Sequence, residues 1–161
     1  MNIKIICVGK LKEKFIREAQ DEYLKRLSKY AKTEIIELAD EKIRDGAFEK
    51  EEEIVKEKEC QKILKEIEKT PKAYVYAMDL SGTMYTSEQL AENIKDVFDY
   101  NASTIIFVIG GSLGLTKDVL QRSNAKLSFS KLTFPHQLFR IFLLEQIFRT
   151  FKINNNEKYH K

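Results

Sequence analysis

Apolar residues in this chain fall into short continuous or alternating runs, separated by stretches with three- and four-residue spacing, a pattern that predicts strands alternating with helices. Residues 2–8 form an apolar strand closed by Gly9. Phe15, Ala19, Tyr23, Leu27 and Tyr30 then mark one face of a helix, and residues 33–38 alternate as a second strand. Residues 49–69 are a long charged helix with only a thin apolar stripe (Ile54, Cys60, Ile63, Leu64, Ile67), so it is expected to lie largely in solvent. A third strand at 73–78 is read as turning at Ser81-Gly82. Thr86 and Gln89 have the spacing of a capping box for a helix running to about Asn101. A strand at 104–109, a short helix capped by Thr116, an apolar stretch at 125–129 and a last helix beginning at Pro135 complete the series. Strands that alternate with helices in this way form a parallel sheet with helices on both faces, hence an α/β fold.

The run T-I-I-F-V-I-G-G-S-L-G at 104–114 is the most informative segment. Its unbroken apolar part reads as a strand covered on both faces. Gly110, Gly111 and Gly114 then free the backbone at the carboxyl end of that strand, where open α/β sheets take their ligands. A dinucleotide fingerprint would need G-x-G-x-x-G and an acidic residue roughly 20 positions later. Here the order is G-G-x-x-G, with no Asp or Glu between Asp118 and Glu145. A P-loop would close on Gly-Lys-Ser/Thr, which the chain lacks. Two readings stand side by side: a nucleoside held by backbone groups without its phosphates, or a plain tight turn.

The last helix is apolar around its whole circumference, with Leu138, Phe139, Ile141, Phe142, Leu143, Leu144, Ile147, Phe148 and Phe151 on every side. A helix of that kind is buried all round. One sheet covers one side, so a second subunit is expected on the other, as in an isologous dimer; burial within a monomer core is the alternative.

Length changes the picture little: 161 residues, 43% of them apolar, suit one domain spanning 1–161. No apolar run approaches the roughly 20 residues that cross a membrane, and no cleavable leader is evident at the amino end, so a cytoplasmic location is expected. Cys7 and Cys60 show no C-x-x-C or metal-ligand spacing, so both are read as reduced and structural, with no metal site. The net charge of +3 is uneven. Residues 1–116 hold 19 basic against 22 acidic side chains, and residues 117–161 hold 9 against 3. That basic last quarter adjoins the glycine turn, and is either a solvated lysine-rich surface or a place for nucleic acid to meet a small ligand.

The sequence F-V-I-G-G-S-x-G, then L-S-F-S-K-L-T-F-P-H-Q-L-F-R, then E-Q-I-F-R and a terminal Y-H-K, together with the opening V-G-K-L-K-E, resembles the small SPOUT-superfamily methyltransferases that modify pseudouridine in bacterial 23S rRNA. The likeness runs from end to end. Leu113 fills the variable place in G-G-S-x-G. The resemblance implies a carboxyl-terminal trefoil knot, which periodicity does not reveal. It also implies a homodimer, S-adenosylmethionine bound in the knot, and methylation of N3 of pseudouridine 1915 of 23S rRNA in the assembled ribosome. Carried over position by position, cofactor contacts fall on Met78, Gly110, Phe129, Ser130, Lys131, Leu132, Thr133 and Phe134.

Methyl transfer from a sulfonium needs no metal; it needs the attacking nitrogen held in line with the methyl, and something to take or offset the imide proton. Glu145 and Arg149, one turn apart on the apolar helix, either bridge a dimer or face RNA. Tyr159 and His160, beyond the Asn154-Asn155-Asn156 segment, are either a loose polar end or a group that stacks on a base and contacts phosphate. His136 is read as an orienting or capping residue. A related enzyme acting on tRNA and a non-catalytic, ribosome-associated nucleoside binder are the alternatives.

Overall fold

The computed structural model describes all 161 residues. Strands β1 (Asn2–Val8), β2 (Lys32–Leu38), β3 (Tyr74–Thr83), β4 (Thr104–Ile109) and β5 (Ala125–Leu127) form one parallel sheet in the order β2-β1-β4-β3-β5. Helices α1 (Lys14–Leu27), α3 (Ser87–Tyr100) and α5 (His136–Asn154) cover one face; α2 (Glu49–Glu68) and α4 (Lys117–Arg122) cover the other. Side-chain parity follows the pleat. Ile3, Ile5 and Cys7 join the α1/α3/α5 core, while Ile6 and Val8 join the α2/α4 core. Central β4 is buried at every position, which is why its sequence has no polar alternation. On the three-helix side Tyr76 stacks on Phe107, with centroids 5.2 Å apart, and its hydroxyl donates to Asn93 Oδ1 at 2.6 Å.

The expected elements are present, with local differences. In α1 the inward face is Ile16, Tyr23, Leu24 and Leu27, and Phe15 is 63% exposed. The helix stops at Leu27; Tyr30, beyond it, stacks on Phe151 of α5. In α2 the stripe holds except at Ile54, which is exposed, and buried Glu59 joins it. The capping box of α3 is complete: Thr86 Oγ1 accepts from Gln89 N–H at 3.2 Å, and Thr86 N–H donates to Gln89 Oε1 at 2.9 Å. Thr116 does precede α4, but its buried hydroxyl has no partner.

Ser81-Gly82 is not a turn. β3 continues through it to Thr83, with a shift in its pairing to β5 between Met78 and Thr83. A Cβ at Gly82 would lie 2.6–2.7 Å from backbone atoms of Leu127 and Lys126. Glycine is required because two backbones cross in contact there, not because the chain reverses.

Helix α5 is covered within one chain on more of its circumference than the one side expected from the sheet. It lies on the sheet between α1 and α3, which bury Leu143, Leu144, Ile147, Phe148 and Phe151 within a single chain. Most of its apolar circumference is therefore monomer core. Leu138, 37% exposed, and Phe142, 43% exposed, are the large residues left outward.

Candidate functional site

The second half of β3 and the loops after β4 and β5 meet at the carboxyl edge of the sheet around a cavity of about 240 Å³. Of the positions on which the family likeness places the cofactor, Met78, Gly110, Phe129, Ser130, Leu132, Thr133 and Phe134 line it. Lys131 does not: it is exposed on the same loop. The wall also includes Asp79, Ser112, Ser128, His136 and Phe139, none of them anticipated as ligand contacts. Asp79 accepts hydrogen bonds from the amide and hydroxyl of Ser81. Asp79 stands in β3 where its pairing to β5 shifts, at the carboxyl edge of the sheet, and a carboxylate there is the group that takes ribose hydroxyls in nucleoside sites. The only signal in sequence was a single acid ending an apolar strand.

The serines shape the loop that carries these residues. Ser128 Oγ donates to the Ser130 carbonyl at 3.0 Å, Ser130 Oγ accepts from Leu132 N–H at 3.0 Å, and Ser128 N–H donates to the Thr83 carbonyl at 3.0 Å. Phe139 packs against both Phe129 and Phe134 from below. The glycine turn is closed by Gly114 N–H donating to the Gly111 carbonyl at 3.0 Å, with Gly114 at φ +83°.

That turn is braced from the opposite face of the sheet by α2. Glu59, 5% exposed, accepts the Glu41 amide at 3.1 Å, and its other oxygen lies 2.7 Å from where a Cβ on Gly111 would sit. Burial raises the Glu59 carboxyl above the usual carboxylate range. Neighbouring Cys60 Sγ accepts the Thr116 amide at 3.3 Å. Gly111→Ala is expected to destabilise the fold by about 1–3 kcal/mol through overpacking. In a double-mutant cycle read by urea unfolding, Glu59→Ala should recover part of that loss. Simple additivity of the two changes would contradict the brace.

Glu145, Arg149, Tyr159 and His160 form one cluster on the outer side of α5. Arg149 Nη2 donates to Glu145 Oε1 at 2.5 Å, Tyr159 hydroxyl donates to the same oxygen at 3.1 Å, and the Arg149 guanidinium lies 4.8 Å from the Tyr159 ring centroid. His160 Nδ1 is 3.1 Å from Arg149 Nη1, and its Nε2 is 2.7 Å from Glu88 Oε1 at the start of α3. The His160 contact lowers the Glu88 carboxyl; burial, then Glu145, raises the Tyr159 phenol. The chain end is thus docked rather than loose. Glu157 anchors it, accepting from Lys152, Tyr30 and Lys29, which together push its carboxyl down to about 2. A depressed carboxyl holds its contacts above the ordinary carboxylate range and loses them as pH falls toward that value, so the anchor is intact at neutral pH.

None of these four residues lines the 240 Å³ cavity. Glu145 instead lines a neighbouring cavity of about 550 Å³ with Tyr23, Tyr85, Ser87, Phe142 and Gln146, and the two cavities share Leu127, Ser128, Phe129 and Phe134 as a common wall. Arg140, one of the basic residues of the last quarter of the chain, is buried: it pairs with Glu37 at 2.7 Å and donates to the Gly9 carbonyl at 3.0 Å, tying α5 to β1 and β2. Both cysteines are buried and free, and burial pushes the Cys7 thiol up to about 11. No three His, Cys, Asp or Glu side chains converge as a metal would require, and no helix is long and apolar enough to cross a membrane.

The family model described as "Predicted SPOUT methyltransferase" matches residues 1–160. Proteins called ribosomal RNA large subunit methyltransferase H from Clostridium novyi and Clostridium botulinum are 60% and 58% identical to this chain, each over the full length of both. A TrmH/SpoU tRNA modifying enzyme of A. aeolicus aligns over 95% of this chain and 77% of its own at 11% identity and a TM-score of 0.44, too loose a likeness to weigh.

Proposed function

The chain belongs to the SPOUT methyltransferase family, and from that premise we propose that it methylates N3 of pseudouridine 1915 in 23S rRNA of the assembled ribosome, using S-adenosylmethionine, as a cytoplasmic homodimer. The observation that carries this is the cavity at the β3, β4 and β5 ends, lined by seven of the eight positions on which the family likeness places the cofactor. The names of full-length relatives at up to 60% identity support rRNA as the substrate.

The residues present suit such a cofactor. Ile109, Phe134 and Phe139 give apolar walls for a purine, the 128–134 loop offers backbone donors and acceptors, and Asp79 offers a carboxylate to ribose hydroxyls. The turn beside this wall is closely packed on itself: a Cβ on Gly110 would meet the Gly114 carbonyl oxygen and Leu115 Cδ2, both at 2.9 Å. When bound, the sulfonium supplies an activated methyl with its leaving group already in place. The chain's share is to bind it, exclude water and orient the base. An imide N–H must also lose its proton, or its anion must be stabilised. Glu145 is the carboxylate placed for the first task and Arg149 the cation for the second, with Tyr159 and His160 available to stack on RNA and contact its backbone. In one chain this cluster stands across the Phe129 and Phe134 wall from the cofactor cavity, an arrangement that favours a site completed by a second copy.

Outward Leu138 and Phe142 are the core of the surface we assign to that dimer. Phe142→Glu is expected to give a folded monomer in sedimentation equilibrium with methyl transfer abolished, because a carboxylate in an apolar interface costs several kcal/mol. A charge at Ile147, 1% exposed in the monomer, would instead unfold the chain. A monomeric wild-type protein with full activity would contradict the dimer.

The function is tested by tritiated methyl transfer to intact ribosomes, separate large subunits, naked rRNA and bulk tRNA side by side. Label in ribosomes supports the proposal. Label in tRNA favours the related tRNA enzyme, and cofactor binding with no turnover favours a non-catalytic ribosome-associated factor.

A further inference from the structure

We propose that the cavity of about 550 Å³ seats the base to be methylated, and that Gln146, beside Glu145, grips the carbonyl next to the reacting N–H; this deepens the function proposed above and rests on it. The volume falls within the roughly 300–1,000 Å³ usual for small-molecule sites. An enzyme that acts on a base must take it out of its stack and give it a pocket. Tyr23, Tyr85, Phe129, Phe134 and Phe142 line this one, rings on which an unstacked base can lie. Its polar groups are few: Thr86 and Ser87 at the start of α3, Ser128, and Glu145 and Gln146 of α5.

The Gln146 amide can face only one way. A carboxylate accepts and does not donate, so Nε2 is the atom turned to Glu145, 2.8 Å from its Oε2, and the Ser87 hydroxyl donates to Oε1 at 3.0 Å. Nε2 carries a second N–H besides the one given to Glu145. The other carboxylate oxygen, Oε1, is held by Arg149 Nη2 at 2.5 Å and by the Tyr159 hydroxyl at 3.1 Å, whereas Arg149 Nε stands 3.5 Å from Oε2. Oε2 is therefore the oxygen left for a substrate, with an amide donor next to it. An acceptor beside a donor matches the N–H and C=O that stand side by side on the imide edge of a uracil-type ring: N3–H on Glu145 Oε2, the flanking carbonyl on Gln146 Nε2. In the reaction the N3–H bond breaks and its proton passes to Glu145; the N3 electron pair forms the bond to the methyl carbon, and the pair of the broken C–S bond stays on sulfur. Negative charge left on the ring is shared with the flanking carbonyl oxygen, so the Gln146 hydrogen bond strengthens as the proton leaves. The start of α3, with its partial positive charge, lines the same cavity and favours the same anion.

The test is single-turnover methyl transfer to ribosomes, with protein and S-adenosylmethionine in excess, for the wild type, for Gln146→Leu, which removes the donor at similar size, and for Gln146→Glu, which puts an acceptor in its place. Both variants are expected to be slower by tenfold or more, toward the roughly 10²-fold cost of one lost oxyanion donor. Calorimetric affinity for S-adenosylhomocysteine and the oligomeric state in sedimentation equilibrium should stay at their wild-type values, which also reports that the variants are folded. A loss of less than tenfold in either variant overturns the assignment. So does a loss that comes with weakened S-adenosylhomocysteine binding or with dissociation in both variants, since Gln146 would then be a structural residue. A wild-type protein that binds S-adenosylhomocysteine but transfers no methyl to ribosomes overturns the proposed function, and this assignment with it.

Discussion

Removal of Tyr159, His160 and Lys161 is expected to lower methyl transfer to ribosomes by about 10²-fold or more, the loss typical when a group that handles a reacting proton or its partners is taken away, while cofactor affinity stays near the wild-type value. The separation follows from the geometry. Tyr159 and His160 contact Glu145, Arg149, Glu88 and Phe148, and none of these lines the 240 Å³ cavity assigned to the cofactor in the proposal above. The docked end holds Glu145 and Arg149 in a mutual pair, so deleting it leaves that pair without the phenol and imidazole that orient it. Loss of the edge-on Tyr159–Phe148 contact, about 0.5–1.5 kcal/mol, should lower stability modestly without unfolding the chain. His160→Ala, which keeps the Tyr159 packing, is expected to show an intermediate rate. A truncated protein that methylates ribosomes at the wild-type rate would mean that RNA is positioned elsewhere; Arg140 is too deeply buried to be that place.

Gly110→Val is expected to abolish calorimetric binding of S-adenosylmethionine. Its first added carbon would fall 2.9 Å from the Gly114 carbonyl oxygen and from Leu115 Cδ2, closer than real Cβ atoms approach. The glycine turn must move to make room. Overpacking of this kind costs about 1–3 kcal/mol in stability, so the variant should unfold earlier than wild type yet remain folded at room temperature. The displaced turn would then reshape the same wall that faces the ligand. Unchanged affinity would place the cofactor away from this turn.

Sequence made the sheet legible because each strand is either alternating or wholly apolar, and burial on one or both faces leaves that mark directly. The 128–134 loop that lines the 240 Å³ cavity was marked by likeness rather than periodicity. Other features escaped for identifiable reasons. Gly82 looks the same in sequence whether the chain reverses there or another backbone crosses it, and it crosses Leu127. The all-round apolar α5 reads alike whether a partner or its own α1 and α3 cover it; a single chain covers most of it, leaving Leu138 and Phe142. The terminal residues read as a loose end because their partners, Lys29, Glu88, Glu145 and Arg149, lie far apart in the chain. Glu59 looked like one more charge on a solvated helix, and only the fold puts its carboxylate against Gly111.

The nucleotide that receives the methyl group decides whether the proposed function holds. Ribosomes lacking the modification would be incubated with the purified protein and S-adenosylmethionine, and the 23S rRNA then fragmented and mapped by mass spectrometry. One new 3-methylpseudouridine is expected, at position 1915. A methyl on another nucleotide, or on another atom of that base, would contradict it.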